Sequence, residues 1–250
     1  MSFGPVAWAL TLGLGAIVGS FLNVCIHRLP RRESVILPGS RCPRCATPIR
    51  WYDNIPLLSF LLLGGRCRAC RGAISWRYPL VEAITMLVFF LSGARFGFTF
   101  EGLRAAVLAS ALVVVTGIDL DHRIIPDRIT LPGIVLGLIG AWFLPPGIVS
   151  SAIGTVVGGG LFYAIAWASR GGMGGGDIKL AAMLGAFLGW QAGLLAIFLG
   201  VLAGGVVGVV LLVLRLRGRK DAIPFGPFLA LGGTVSLFWG GLILRWYLHL

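Results

Sequence analysis

Acidic side chains are scarce in this chain of 250 residues, nine in all, and four of them crowd into two short segments: Asp119, Asp121 and Asp127 in GIDLDHRIIPD, and Asp177 in GGMGGGDIK. Two carboxyl groups brought together from separate segments suit acid and base chemistry, one activating water while the other protonates a carbonyl or a leaving group. Four of the five cysteines form a second constellation, Cys42-x2-Cys45 and, 21 residues later, Cys67-x2-Cys70. Each CxxC turn presents two thiolates to one ion, so the spacing predicts a tetrahedral zinc site. Four thiolates leave no open position for water or substrate, and the metal would be structural. The alternative, a pair of disulfides, requires an oxidising compartment. Cys25 lies in an apolar run and reads as a small buried hydrophobe.

The other acids read differently. Glu33, Asp53 and Asp221 sit among basic residues and read as solvated charges, and Glu101 falls in a short loop. Glu82 lies about one turn into an apolar segment, where it pairs with Arg77 or caps backbone donors. His27, His122 and His249 are dispersed without ligand spacing, and no Ser, His or Cys arrangement forms a nucleophile motif. The glycines before Lys179 lack Walker spacing, which excludes a nucleotide cradle of that kind.

The elements that position these groups follow from composition. Only 12% of residues are charged and 57% are hydrophobic, with a mean hydropathy of +0.93. A soluble domain carries about twice that charge, so the chain reads as an all-α polytopic membrane protein. Spans of roughly 20 apolar residues fall at 5–26, 79–97, 102–120, 129–145, 149–168, 178–190, 192–214 and 223–248, about eight transmembrane helices. Residues 1–26 are a first, retained helix, with no basic stretch before it and no small-residue cleavage site after it. Residues 27–78 are a small hydrophilic insertion holding ten arginines and the cysteine quartet, and 79–250 form a seven-helix domain. Segment 178–190 is short for a full crossing. The glycines of 154–160 and 200–208 predict close helix packing, or else thin-walled helices with no special role.

Net charge is +12, which in a soluble chain would suggest nucleic acid, but here its distribution reports topology and no nucleic-acid partner is expected. Eighteen of the 21 Lys and Arg residues fall in 27–78, 119–128, 169–179 and 215–221; the alternate loops hold only Arg95, Arg104 and Arg245. Basic residues stay on the cytoplasmic side. Both termini therefore face outward, while the insertion and the loops after the third, fifth and seventh spans are cytoplasmic, a reducing location that favours zinc over disulfides. A basic insertion is expected to meet anionic lipid head groups or an acidic group on a partner.

The sequence resembles the type 4 prepilin peptidases along nearly its whole length. The resemblance rests on GSFLNVCIHRLP (Gly19 to Pro30), CPRC followed by NIP and CRAC, RYPLVE (Arg77 to Glu82), IDLDHRIIPD, and GxGD at Gly174 to Asp177, in that order. It implies an intramembrane aspartic protease of the bacterial inner membrane, active near the cytoplasmic face, that cleaves type IV prepilins or type II secretion pseudopilins after a glycine in their basic leader. It assigns catalysis to Asp119 and Asp177. Helix geometry agrees in separating Asp119 from Asp121, which lies about 200° around the helix, and Asp127 after Pro126 reads as a cap or turn residue. Asp177 also reads as an N-cap of the span that begins at Ile178. An intact Cys42, Cys45, Cys67 and Cys70 quartet is the form associated with members that also N-methylate the new terminus, with S-adenosylmethionine as methyl donor. A transporter is the alternative class, since Gly-interrupted helices and membrane-edge acids occur there too. A membrane-anchored zinc interaction module is a third reading, which leaves the aspartates idle.

Overall fold

The computed structural model describes residues 4–169, 173–216, 218 and 223–248. Arg170, Arg217, Arg219, Lys220, Asp221 and His249, which entered the charge and ligand readings, lie outside the described residues. The chain divides into two compact units, Met1–Thr99 and Phe100–Leu250.

In the first unit, α1 (Pro5–Arg28) starts with a proline at its first helical position, where no intrahelical hydrogen bond is lost. It lies against α3 (Arg77–Phe96). The contact is made by Gly15 and Gly19, one helical turn apart: a Cβ at Gly15 would stand 2.9 Å from Met86 Cα, and one at Gly19 would stand 2.7 Å from Glu82 Cα. Such small-residue seams let helix backbones approach where the surrounding lipid offers no hydrophobic drive. Asn23, buried on α1, donates to the carbonyl oxygens of Gly19 and Tyr78 and so ties the two helices by a polar contact. Between them the insertion contains only a 3-10 turn at Trp51–Asn54 and the short α2 (Leu58–Leu62).

The second unit contains α4 (Phe100–His122), α5 (Asp127–Phe143), α6 (Ile148–Ala168), α7 (Gly175–Val213) and α8 (Gly226–Leu248). Its core joins Leu108, Leu112 and Val115 of α4 to Phe162 of α6, Leu180 and Met183 of α7 and Leu229 of α8. Helix α7 is interrupted at Gly189, whose φ of 76° and ψ of 179° are open to glycine and closed to other residues. Beyond it the chain folds back, since a Cβ at Gly193 would stand 3.1 Å from Gly185 Cα. The predicted spans 178–190 and 192–214 are the two arms of this hairpin, with the reversal at Gly189. Among the described residues six helices are long and apolar enough to cross a bilayer; counting both arms of α7 and adding the 17-residue α5 recovers the eight predicted segments.

The glycine clusters do mark close packing. A Cβ at Gly154 or Gly158 of α6 would strike the α7 backbone at Gly185 O and Ala181 O, and one at Gly200 would meet Phe228 O of α8 at 3.0 Å. Gly160 and Gly205 face open space.

Candidate active site and metal centre

Within the second unit, the C-terminal turn of α4, the loop 123–126 and the N-termini of α5, α7 and α8 gather at one end. Asp119 lies in the last turn of α4, 5% exposed, and Asp121 is exposed on the other side of that helix, as the 200° separation requires. Asp119 is fixed from across the unit: the backbone N–H of Gly226, the first residue of α8, donates to its Oδ2 at 2.8 Å. A side chain at position 226 would not fit, because its Cβ would stand 2.8 Å from Asp119 Oδ2.

Asp177 enters the same place from α7, close enough to Asp119 for the two carboxyl groups to interact electrostatically. The helix starts earlier than the sequence suggested. Gly174 occupies the N-cap without a side-chain bond, so Asp177 stands inside the first turn instead of capping a helix at Ile178. The glycines ahead of it divide their roles. Gly176 packs on the 123–126 loop, where a Cβ would lie 2.8 Å from Ile125 Cβ, whereas Gly175 faces open space. Asp127, read as a cap or turn residue, is instead the first residue of α5 after the N-cap Pro126, and it accepts two 2.7 Å contacts from Lys179 Nζ, joining the first turns of α5 and α7. Gly226 and the Asp127–Lys179 pair were not singled out by sequence reasoning. Gly226 between Pro224 and Pro227, at the start of the last span, was the available signal for the first, and a Lys two residues after Asp177 for the second.

At the opposite end, the Arg104 side chain donates to the carbonyl oxygens of Pro145, Ala186 and Phe187. It thereby satisfies backbone acceptors freed where α7 breaks.

The insertion of the first unit brings all four predicted cysteine ligands together: the Sγ atoms of Cys42, Cys45, Cys67 and Cys70 lie within 4.8 Å of one another. The cage is made by two knuckles of one design. In the first, Cys42 N–H donates to Thr47 O and Ala46 N–H to Cys42 O; in the second, Cys67 N–H donates to Gly72 O and Arg71 N–H to Cys67 O. Ala46 and Arg71 occupy the same left-handed position after the second cysteine, φ 57° and 56°. Bridges Arg41 to Pro48 and Arg66 to Ala73 close the two loops. A zinc–sulfur distance of about 2.3 Å places thiolates about 3.8 Å apart in a tetrahedron, and Cys42 and Cys70 sulfurs stand 3.9 Å apart. The side-chain and backbone groups of Thr47 hold the Cys45 thiol down to about 6, and backbone donors at Cys70 and Ala69 lower Cys67. Arg68 grips Asp53 with two nitrogens and holds its carboxyl below the usual range.

Glu82 pairs with a backbone donor and not with Arg77. Its Oε2 accepts the Leu57 N–H at 2.8 Å, tying the insertion to α3, and the Ser20 side chain bonds to it as well.

Two family descriptions match the chain: the bacterial peptidase A24 N-terminal domain over residues 14–96 and the type IV leader peptidase family over 106–209. A prepilin leader peptidase/N-methyltransferase of Pseudomonas aeruginosa is 41% identical, covering 98% of this chain and 95% of its own length. The protein of that name from Aeromonas salmonicida is 40% identical, with coverages of 96% and 94%. One from Myxococcus xanthus is 45% identical over 84% of this chain and 65% of its own length. No solved structure gives a significant match. The transporter reading finds no support among these relatives.

Proposed function

Because the chain belongs to the type IV leader peptidase family, we propose that it removes the basic leader of a type IV prepilin or type II secretion pseudopilin after a glycine. On the same premise it N-methylates the terminus so exposed, and it works as a multi-pass protein of the bacterial inner membrane with its active site at the cytoplasmic face. The observation that carries the peptidase reading is the meeting of Asp119 and Asp177 from two helix ends, one of them buried and oriented by the Gly226 N–H.

Two carboxyl groups in electrostatic contact titrate as one unit, so the working pair holds a single proton. The ionised aspartate accepts a proton from water as the water oxygen attacks the scissile carbonyl carbon. The protonated aspartate hydrogen-bonds the carbonyl oxygen and transfers its proton to it. Collapse of the tetrahedral adduct then breaks the C–N bond: the leaving amine takes a proton from the first aspartate, and a hydroxyl of the adduct returns a proton to the second. The open face at Gly175 admits an extended peptide backbone beside Asp177.

The Cys42, Cys45, Cys67 and Cys70 cage fits zinc in ligand type and spacing. It would stabilise an insertion whose described residues form little regular structure, and would take no part in proteolysis. S-adenosylmethionine supplies the methyl group. The arginine-rich insertion meets anionic lipid head groups.

Mass spectrometry of a co-expressed pilin-like precursor tests both activities. The expected product begins directly after a glycine and carries one added methyl group. Asp119→Asn and Asp177→Asn each abolish cleavage, while Asp121→Asn retains most of it. Near-normal cleavage by either of the first two variants overturns the two-aspartate reading.

A further inference from the structure

The first unit contains an open cavity of about 1250 Å³ between the inserted segment and the adjoining ends of α1 and α3. Sites for small molecules usually occupy roughly 300–1,000 Å³, so the space admits a cofactor-sized ligand together with a peptide end. Ser20, Asn23, Phe60, Tyr78 and Glu82 are among its lining. Its polar lining includes buried groups: Asn23 is 6% exposed and Glu82 is 8% exposed.

Glu82 is the feature that needs a reason. A carboxylate removed from water is costly unless it is paired. Its partners here are neutral, the Leu57 N–H and the Ser20 side chain, and no cation among the described residues neutralises it. Leu57 is held at φ 59° and ψ −49°, an uncommon conformation for a branched residue, where its N–H reaches the carboxylate. Backbone strain is thus spent on holding an acid at the wall of a cavity whose lining also includes Tyr78, one helical turn before Glu82 on α3, and Phe60. A carboxylate with aromatic neighbours is the chemistry that receives a soft, weakly hydrated cation.

We propose that this cavity binds the methyl donor, an adenosyl sulfonium compound, with its positive sulfur toward Glu82 and Tyr78. The assignment rests on the methyltransferase half of the reading above. The transfer it serves balances without a dedicated protein base. The terminal amine of the cleaved chain has an ordinary pKa of about 7.7–8.0, so water removes its proton in an appreciable fraction at neutral pH. The nitrogen lone pair then forms the N–CH3 bond as the C–S bond breaks, and that electron pair returns to sulfur as a neutral thioether.

The test uses the full chain in lipid nanodiscs and equilibrium dialysis with two probes, cationic S-adenosylmethionine and its neutral thioether product S-adenosylhomocysteine. The wild type is expected to prefer the cation. Glu82→Gln weakens the cation by about tenfold and the thioether by less than about threefold, so the preference collapses. Tyr78→Leu, which leaves the Glu82 bonds in place, moves the preference in the same direction. Ultraviolet photolabelling of the wild type with S-adenosylmethionine is expected to mark peptides within residues 20–82. A label confined to residues 100–248, or an unchanged preference in both variants while methylated product still forms, overturns the placement alone. Absence of both binding and methylated product in the wild type overturns the methyltransferase reading, and the placement falls with it.

Discussion

Asp119 and Gly226 are separated by 107 positions, yet the carboxylate and the backbone N–H meet at 2.8 Å. The N–H is one of those a helix N-terminus leaves without an intrahelical partner, so Asp119 satisfies α8 as much as α8 orients Asp119. Adding one methyl group at position 226 forces the two apart, because its Cβ would lie inside contact distance of Asp119 Oδ2. Gly226→Ala is therefore expected to lower the cleavage rate by about 100-fold, the scale of an ångström-sized misplacement of a catalytic group. The check is a steady-state cleavage assay beside a thermal melt, with the rate falling far more than the stability. Asp127 makes the contrasting case. Its pair with Lys179 is exposed on both sides, and such pairs contribute at most about 1 kcal/mol, so Asp127→Asn is expected to keep cleavage within about fivefold of wild type. At this scale the sequence was legible wherever the information was local. Helical spacing alone separates Asp119 from Asp121, whereas no local pattern reports that a glycine 107 residues away must touch the first of them.

Elements in this protein meet through missing side chains. The α6–α7 crossing has Gly154 and Gly185 face to face, where a Cβ on Gly185 would lie 2.0 Å from Gly154 O. Backbone cannot yield as a flexible side chain does, so Gly185→Ala is expected to destabilise the protein by about 1–3 kcal/mol or more. Gly160→Ala, on an open face of α6, is expected to be neutral or to stabilise by up to about 1 kcal/mol through better helix propensity. Thermal unfolding in one detergent compares the two, and equal effects would show that the seam does not hold the helices. The clustering of glycines announced such seams but not which glycines form them, since that depends on helix rotation. Helix α7 shows the same limit, because the sequence located both arms and missed that a single residue at φ 76° makes the turn. The cysteine knuckles were legible outright, since CxxC encodes its own turn geometry. One metal ion per chain is expected by elemental analysis, with its loss in Cys67→Ser; full metal content in a chain lacking both CxxC pairs would remove the site.

Over the molecule as a whole, hydropathy and charge carry the information, and here the structure of the second unit bears on topology directly. The loop 123–126 and the starts of α7 and α8 come together around Asp119 and Asp177. The link after α5 and the reversal at Gly189 meet at the other end, where a Cβ on Gly189 would stand 2.7 Å from Pro146. Alternate connections therefore lie at opposite ends, as counting basic residues requires. Arg104 is a basic residue at the sparsely charged end, and it is no exception in physical terms. Its guanidinium is spent on the carbonyl oxygens of Pro145, Ala186 and Phe187, so it serves as a cap for broken backbone instead of a solvated charge held back from translocation. Exposed aromatic residues at helix ends, Trp142 and Phe143 on α5 and Trp246 and Tyr247 on α8, suit the membrane interface on that side. Reporter fusions give the decisive reading. A fusion after Arg123 is expected to be cytoplasmic and one after Pro146 external. Because Arg104 is internally bonded, Arg104→Gln should leave both locations unchanged while lowering thermal stability. An external reporter after Arg123 would invert the topology and place the aspartate pair on the wrong side for a leader that enters from the cytoplasm.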